Sequence, residues 1–297
     1  MGSTHTRAPT PKSLILNLLL AANGAPLSAS DAVGSAGLFG IRENSVRVAL
    51  VRLNAAGMIQ SCGRGAYVLG PQAASLAEDL SLWRHAEQRM CDWSGAWLMV
   101  STAGLGRSDR GPLRQRERAL ALLGFKLLSD GLYVRPDNLV GHATTARERL
   151  RKLGLDTQAP VFVASDLDTE LDRRARHLWH TGALNQAYVR TRAKLETWLA
   201  QSHGLEPEAA ARESYLLGND AIRQLVFDPL LPAPLVDVAT RREFHRAVVA
   251  FDEAGQRIWQ QLLPSLRTPA GTETEPAIAP PAPPVGTAKR PSDPSLH

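Results

Sequence analysis

Three short runs of helical apolar spacing, followed by a glycine-framed arginine, fill residues 12–70 and limit how this part of the chain can fold. Leu14, Ile15, Leu18 and Leu19 recur on one helix face and Asn23-Gly24 ends the run, which predicts a first helix over 12–22. Ser28 and Asp31 stand three apart at the head of the next segment. There a hydroxyl accepts an orphan amide and a carboxylate answers it, so a short second helix is expected over 29–36. Gly37 to Gly40 gives a tight turn, and a third helix then carries Val46, Ala49, Leu50, Leu53 and Gly57 on a face about 100° wide. Residues 58–61 and 66–69 read as two strands around Gly63-Arg64-Gly65, whose glycines allow a tight hairpin with one arginine at its tip.

The far side of the third helix points to a partner. Asn44, Val48, Val51 and Ala55 face away from the apolar stripe, with Ser45, Arg47 and Arg52 on its flanks. Valines turned to water need either a second subunit or thymine methyls in a major groove, where Arg47 and Asn44 reach guanine and adenine edges. Three helices, a hairpin and a lone tip arginine are the parts of a winged helix-turn-helix, expected over 12–72, with Arg64 near phosphates or the minor groove. Charge agrees. Residues 1–72 hold six bases and two acids, a net of +4, whereas the remaining 28 bases and 27 acids leave +1. A polyanion is the expected partner of this segment, namely double-stranded DNA. A solvated basic face or a protein-binding winged helix that docks through Val48 and Val51 are the alternatives.

Composition narrows the rest. With 44% hydrophobic and 21% charged residues in 297, a collagen, a coil and a fully disordered chain are excluded, and two or three domains are expected. The longest apolar run, Leu14 to Ala22, is too short to span a bilayer and lacks a cleavage-site pattern, so a soluble cytoplasmic protein with no membrane partner is expected. Cys62 and Cys91 are too far apart and too few for a zinc knuckle or a disulfide framework.

After a linker helix expected over 73–91, residues 92–168 alternate strand and helix signals. An apolar strand over 97–102 precedes a helix opened by Pro112, strands over 126–128 and 132–134 flank Asp130-Gly131, and a basic helix over 142–153 leads to a strand over 160–165. The order β-α-β-β-α-β is that of a ferredoxin-like domain. Asp166 and Asp168 after the last strand are the pair that a metal-dependent nuclease would use; acids are equally at home beside a helix start. Arg107, Arg110 and Arg114, with Arg116 and Arg118, are candidates for the phosphates of a nucleotide or coenzyme A, against the plainer reading of a solvated loop and helix face.

Residues 169–265 read as a helical domain. A helix over 169–201 is interrupted near Thr181-Gly182, a second covers about 206–226, and a third covers 241–263 beyond the turn Asp228 to Pro234. Trp179 and Tyr188 lie on the apolar stripe, where they serve a core or line an effector pocket between helices. His177 and His180, three apart, have no further ligand at a metal-binding spacing. From Pro269 eight prolines fall in 29 residues, so a disordered tail is expected over 266–297. The whole is an α+β chain with no cofactor and no enzyme activity expected.

Several stretches, in order, resemble the PaaX-like repressors, regulators of phenylacetic acid degradation. They are Phe39 to Leu53 with Gly57 and the wing ending in Tyr67, Trp93-Ser94-Gly95-Ala96-Trp97, Gly124-Phe125, Trp179 with Tyr188, and Asp228 to Pro232. The agreement in order and spacing spans about residues 12–264. The resemblance implies a dimeric DNA-binding repressor with a Cas2-like central domain and a helical C-terminal domain, released from its operator by an acyl-CoA such as phenylacetyl-CoA. It also implies that Arg47, Arg52 and Arg64 touch DNA. Arg42 stands where the family often has a capping serine, so the third helix is expected to begin at Asn44. Leu235 to Thr240 replaces a tryptophan-glycine element of the family.

Overall fold

A computed structural model describes residues 8–22, 24–73, 82–106 and 108–266. All of them belong to one compact unit, residues 1–267. The tail expected to be disordered lies, apart from Leu266, outside the described residues.

The N-terminal head holds α1 (Pro11–Ala21), β1 (Leu27–Ser28), α2 (Ala29–Gly37), α3 (Glu43–Ala55), β2 (Ile59–Gly63) and β3 (Ala66–Leu69). Thr10 and Ser13 form a capping box that starts α1, with proline at its first position where no amide hydrogen is needed. Ser28 caps α2 by accepting from the Asp31 amide at 2.9 Å. The strands form an antiparallel sheet in the order β1-β3-β2, with an irregularity between Ser61 and Gly63 beside the arginine-tipped turn. Beneath it Leu14, Ile15, Leu19, Val46, Leu50 and Ile59 are almost fully buried, each stabilising the head by about 1.5–3 kcal/mol. The two-residue β1 lies in a stretch with no strand alternation; pairing with β3 alone defines it.

The described part of the segment expected as a linker helix over 73–91 is different. Past residue 81 it makes two short 3-10 turns, Leu82–His85 and Glu87–Arg89. Long-range contacts set its path: the Trp83 carbonyl meets His245 Nε2 at 2.8 Å, and Glu87 accepts from Arg241 and Arg242 at 3.2 and 3.1 Å.

A four-stranded antiparallel sheet follows, built from β4 (Trp97–Ser101), β5 (Lys126–Ser129), β6 (Leu132–Pro136) and β7 (Val161–Ala164), in the order β5-β6-β4-β7. Helix α4 (Arg110–Leu122) joins β4 to β5 and α5 (His142–Lys152) joins β6 to β7. β4 is apolar throughout because it is covered on both sides: Leu98 and Val100 pack with the core of α4 and α5, while Trp97 and Met99 face the C-terminal helices.

Those helices are α6 (Thr169–Arg176), α7 (Thr181–Gln201), α8 (Pro207–Val226) and α9 (Val238–Leu266), and α9 packs on both α7 and α8. Helix α9 begins three residues before the sequence-based start because Asp237 accepts from the Thr240 amide and hydroxyl at 3.1 and 2.7 Å. Gly124 permits the close approach of the loop after α8. Its φ is +75°, and a Cβ there would lie 2.7 Å from Pro229 Cα.

The head is seated on this helical layer by α2, which packs on α9, and by specific contacts from α1 and Phe39. Asn17 of α1 donates to Tyr215 Oη at 2.9 Å and to Asn219 Oδ1 at 3.3 Å, both on α8. Phe39 meets the Tyr215 ring edge-on at 5.1 Å, and Tyr215 in turn meets Trp259 of α9. Burial pushes the Tyr215 phenol up to about 12.

Candidate nucleic-acid interface

Helix α3 divides sharply by exposure. Val46, Leu50 and Leu53 are buried in the head, and Asn44, Ser45, Arg47, Val48, Val51 and Arg52 are all exposed. Val51 is 68% exposed and Val48 39%, so neither valine is buried in the head. At 100° per residue, positions 44, 48 and 51 run along one stripe with Arg47 beside it. The helix starts at Glu43 and not at Asn44: Arg42 occupies the cap position and makes no side-chain cap bond there. Asn44 is thereby left with an exposed amide able to meet a hydrogen-bonding edge.

Arg47 is held by Glu43 one turn earlier, at 2.7 Å, with both side chains more than half exposed. Such an exposed pair is worth about 0.3–0.5 kcal/mol. The guanidinium can therefore leave Glu43 for a base edge or a phosphate at little cost. Arg64 sits in the exposed turn between β2 and β3, and Arg52 lies at the other end of the α3 face. These exposed residues include cations, an amide group and methyls, the mixture that direct reading of a major groove uses.

The residues proposed for an effector are not brought together. Arg107 lies outside the described residues. Arg110 and Arg114 are exposed on α4, whereas Arg116 from the same cluster is buried and donates to Asp156 at 2.8 Å, holding that carboxyl below its ordinary range. Trp179 is 5% exposed, stacks on Trp97 with centroids 6.2 Å apart and donates to the Gly124 carbonyl. Tyr188 is 1% exposed and stacks on Phe244 at 5.5 Å, its phenol pushed up by burial beside Asp228. Both aromatic residues are core: the apolar stripe they mark is the buried face of their helices.

Sequence reasoning missed a buried polar cluster next to them. Arg135 on β6, 2% exposed, donates to the carbonyls of Pro136, Leu123 and Pro229 and to Asn138 Oδ1 at 3.0 Å. Burial pulls this guanidinium down to about 10, against the pull of Asp137 and Asp228. Asp228 is raised by burial although the Leu230 amide donates to its Oδ1 at 2.7 Å. The cluster clamps the loop after α8 to the central sheet. Its only local sequence signal is an arginine inside a strand, a residue rarely buried without partners.

Asp168 caps α6, accepting from the amides of Glu170 and Leu171 at 3.0 and 2.8 Å. Among the described residues no group of three or more His, Cys, Asp or Glu gathers at metal-binding distance, and no helix is long and apolar enough to cross a membrane.

Comparison with known proteins bears on both ends of the chain. A family model described as PaaX-like protein matches residues 10–72, and one described as PaaX-like protein C-terminal domain matches residues 179–261. Among solved structures, an uncharacterized protein, Rv0674, from Mycobacterium tuberculosis is similar in fold, with a TM-score of 0.53 and 24% identity. The match covers 83% of this chain and 99% of that one. No curated protein matches the chain.

Proposed function

Because the chain belongs to the PaaX-like family, whose models match it at both ends, we propose that it is a cytoplasmic transcriptional repressor that reads double-stranded operator DNA through α3. The observation that carries this reading is the exposed stripe of Asn44, Ser45, Arg47, Val48, Val51 and Arg52 on a helix whose opposite face is fully buried. In this reading residues 12–72 are a winged helix-turn-helix, 92–168 a ferredoxin-like, Cas2-like domain, and 169–265 the part that dimerises and senses an effector. α3 enters the major groove while Arg64 meets phosphate or the minor groove. A homodimer places two such helices in half-sites about 34 Å apart. The family resemblance supports an aromatic-acid catabolic operon of the phenylacetate type as the target, with an acyl-CoA such as phenylacetyl-CoA as the releasing signal.

The test is a gel shift on the DNA upstream of the chain's own gene. Wild-type protein retards that fragment in the presence of excess unrelated duplex, and phenylacetyl-CoA releases it. Retardation lost equally to specific and unrelated competitor overturns operator recognition, and persistence with the thioester overturns the effector.

A further inference from the structure

At the C-terminal end of α8 the described residues line a partly open cavity of about 230 Å3. Its walls come from the 3-10 turns after residue 81, from α4 and α5, from the end of β6 and from the loop beginning at Phe227. Leu122, Leu139 and Phe227 are among the apolar groups, and Arg89, Arg118, Arg135 and Arg149 face it with Asp228 as the sole acid among its described lining residues. Arg135 makes four hydrogen bonds to protein acceptors, so its guanidinium is already engaged by the fold. The charge that matters here is that of Arg118. Arg118 is exposed on α4, and among the described residues no carboxylate pairs with it.

Size decides what enters. About 230 Å3 holds roughly eight waters and falls below the roughly 300–1,000 Å3 of sites for drug-sized ligands. A single ring or a short alkyl chain fits within that volume. We propose that this cavity binds a compact apolar carboxylic acid in its free, ionised form, with the apolar body against Leu122, Leu139 and Phe227 and the carboxylate toward Arg118. The inference goes beyond the thioester effector of the preceding reading and gives the chain a second input. Leu225 and Val226, which line the cavity, lie on the same helix as Tyr215, about 15 Å further along, where α8 meets the head.

The test is calorimetric titration of the full chain without DNA, so that a failure of operator recognition leaves the result intact. The probes are benzoate, phenylacetate and hexanoate, with phenylacetamide as the neutral analogue and phenylacetyl-CoA as the conjugate. At least one acid is expected to bind at millimolar concentration or below, and roughly tenfold more tightly than the amide. Arg118→Glu, at an exposed position, is expected to weaken the acid by roughly tenfold or more and leave the amide unchanged. Leu122→Trp, which fills the cavity, is expected to abolish both, with melting curves showing that each variant is folded. No binding of any acid at about 10 mM, binding of the thioester alone, or affinities indifferent to both substitutions would overturn the proposal.

Discussion

Arginine has opposite fates in the head and in the half of the molecule built on the central sheet. In the head, Arg47, Arg52 and Arg64 are exposed, and the one carboxylate that holds Arg47 is itself in water. In the other half, Arg116, Arg135 and Arg241 are no more than 3% exposed and are bound by carbonyls, amides and carboxylates of the same chain. The contrast separates cations that can exchange partners from cations that hold the fold. An exposed pair gives up little when it breaks, and a buried one leaves a charge in a medium that cannot solvate it. A basic composition alone therefore does not locate a polyanion site; the exposure of particular arginines does.

That contrast can be broken by substitution. The largest effect belongs to the sheet side: Trp97→Ala removes a ring that stacks on Trp179 and donates to Asp172 at 2.9 Å. Urea unfolding is expected to show a loss of about 3–5 kcal/mol. Arg47→Ala should cost operator binding about 1–3 kcal/mol and relax base preference, with the unfolding midpoint nearly unmoved. Equal losses in stability would place Arg47 with the structural arginines.

Asp228 sharpens the same comparison through pH. Burial raises its carboxyl in the folded chain, so folding takes up a proton there. Its contribution to stability is full below the ordinary carboxylate value and is lost as pH rises through the raised folded value. Asp228→Asn keeps an oxygen for the Leu230 amide and cannot titrate. Unfolding curves between about pH 4 and 8 are expected to decline less with rising pH than those of the wild type. A parallel decline would remove Asp228 as the source. The smallest change is Arg64→Ala, expected to lower affinity for all duplexes alike and to reduce the salt slope by about one, as binding at several ionic strengths would show.

The sequence made the head legible because its signals are local. Leu14 through Leu19 and Val46 through Leu53 are periodic within one helix each, and their buried faces carry the exposed faces with them. The order of strands and helices over 97–164 was readable for the same reason, from short apolar runs and the Asp130-Gly131 turn. β1 was not, since two residues hold no alternation and its pairing with β3 spans nearly forty residues of chain. The 3-10 turns around Glu87 follow from contacts with α9 that no local pattern announces. Trp179 and Tyr188 show the limit from the other side: an apolar stripe says that a face is covered, and only the fold says that Trp97 and Phe244 cover it. The cavity draws on segments around residues 82, 118, 135, 149 and 227, and its arginines stand in four of those five separate contexts along the chain.

Whether the outward face of α3 reads base edges is tested most directly by selecting bound duplexes from a random pool with the wild type and with Arg47→Ala in parallel. The wild type should enrich an imperfect palindrome with half-sites about one helical turn apart, and the variant should lose preference at one symmetric pair of positions while keeping the rest. No enriched sequence with the wild type, or the same sequence with both proteins, would contradict it.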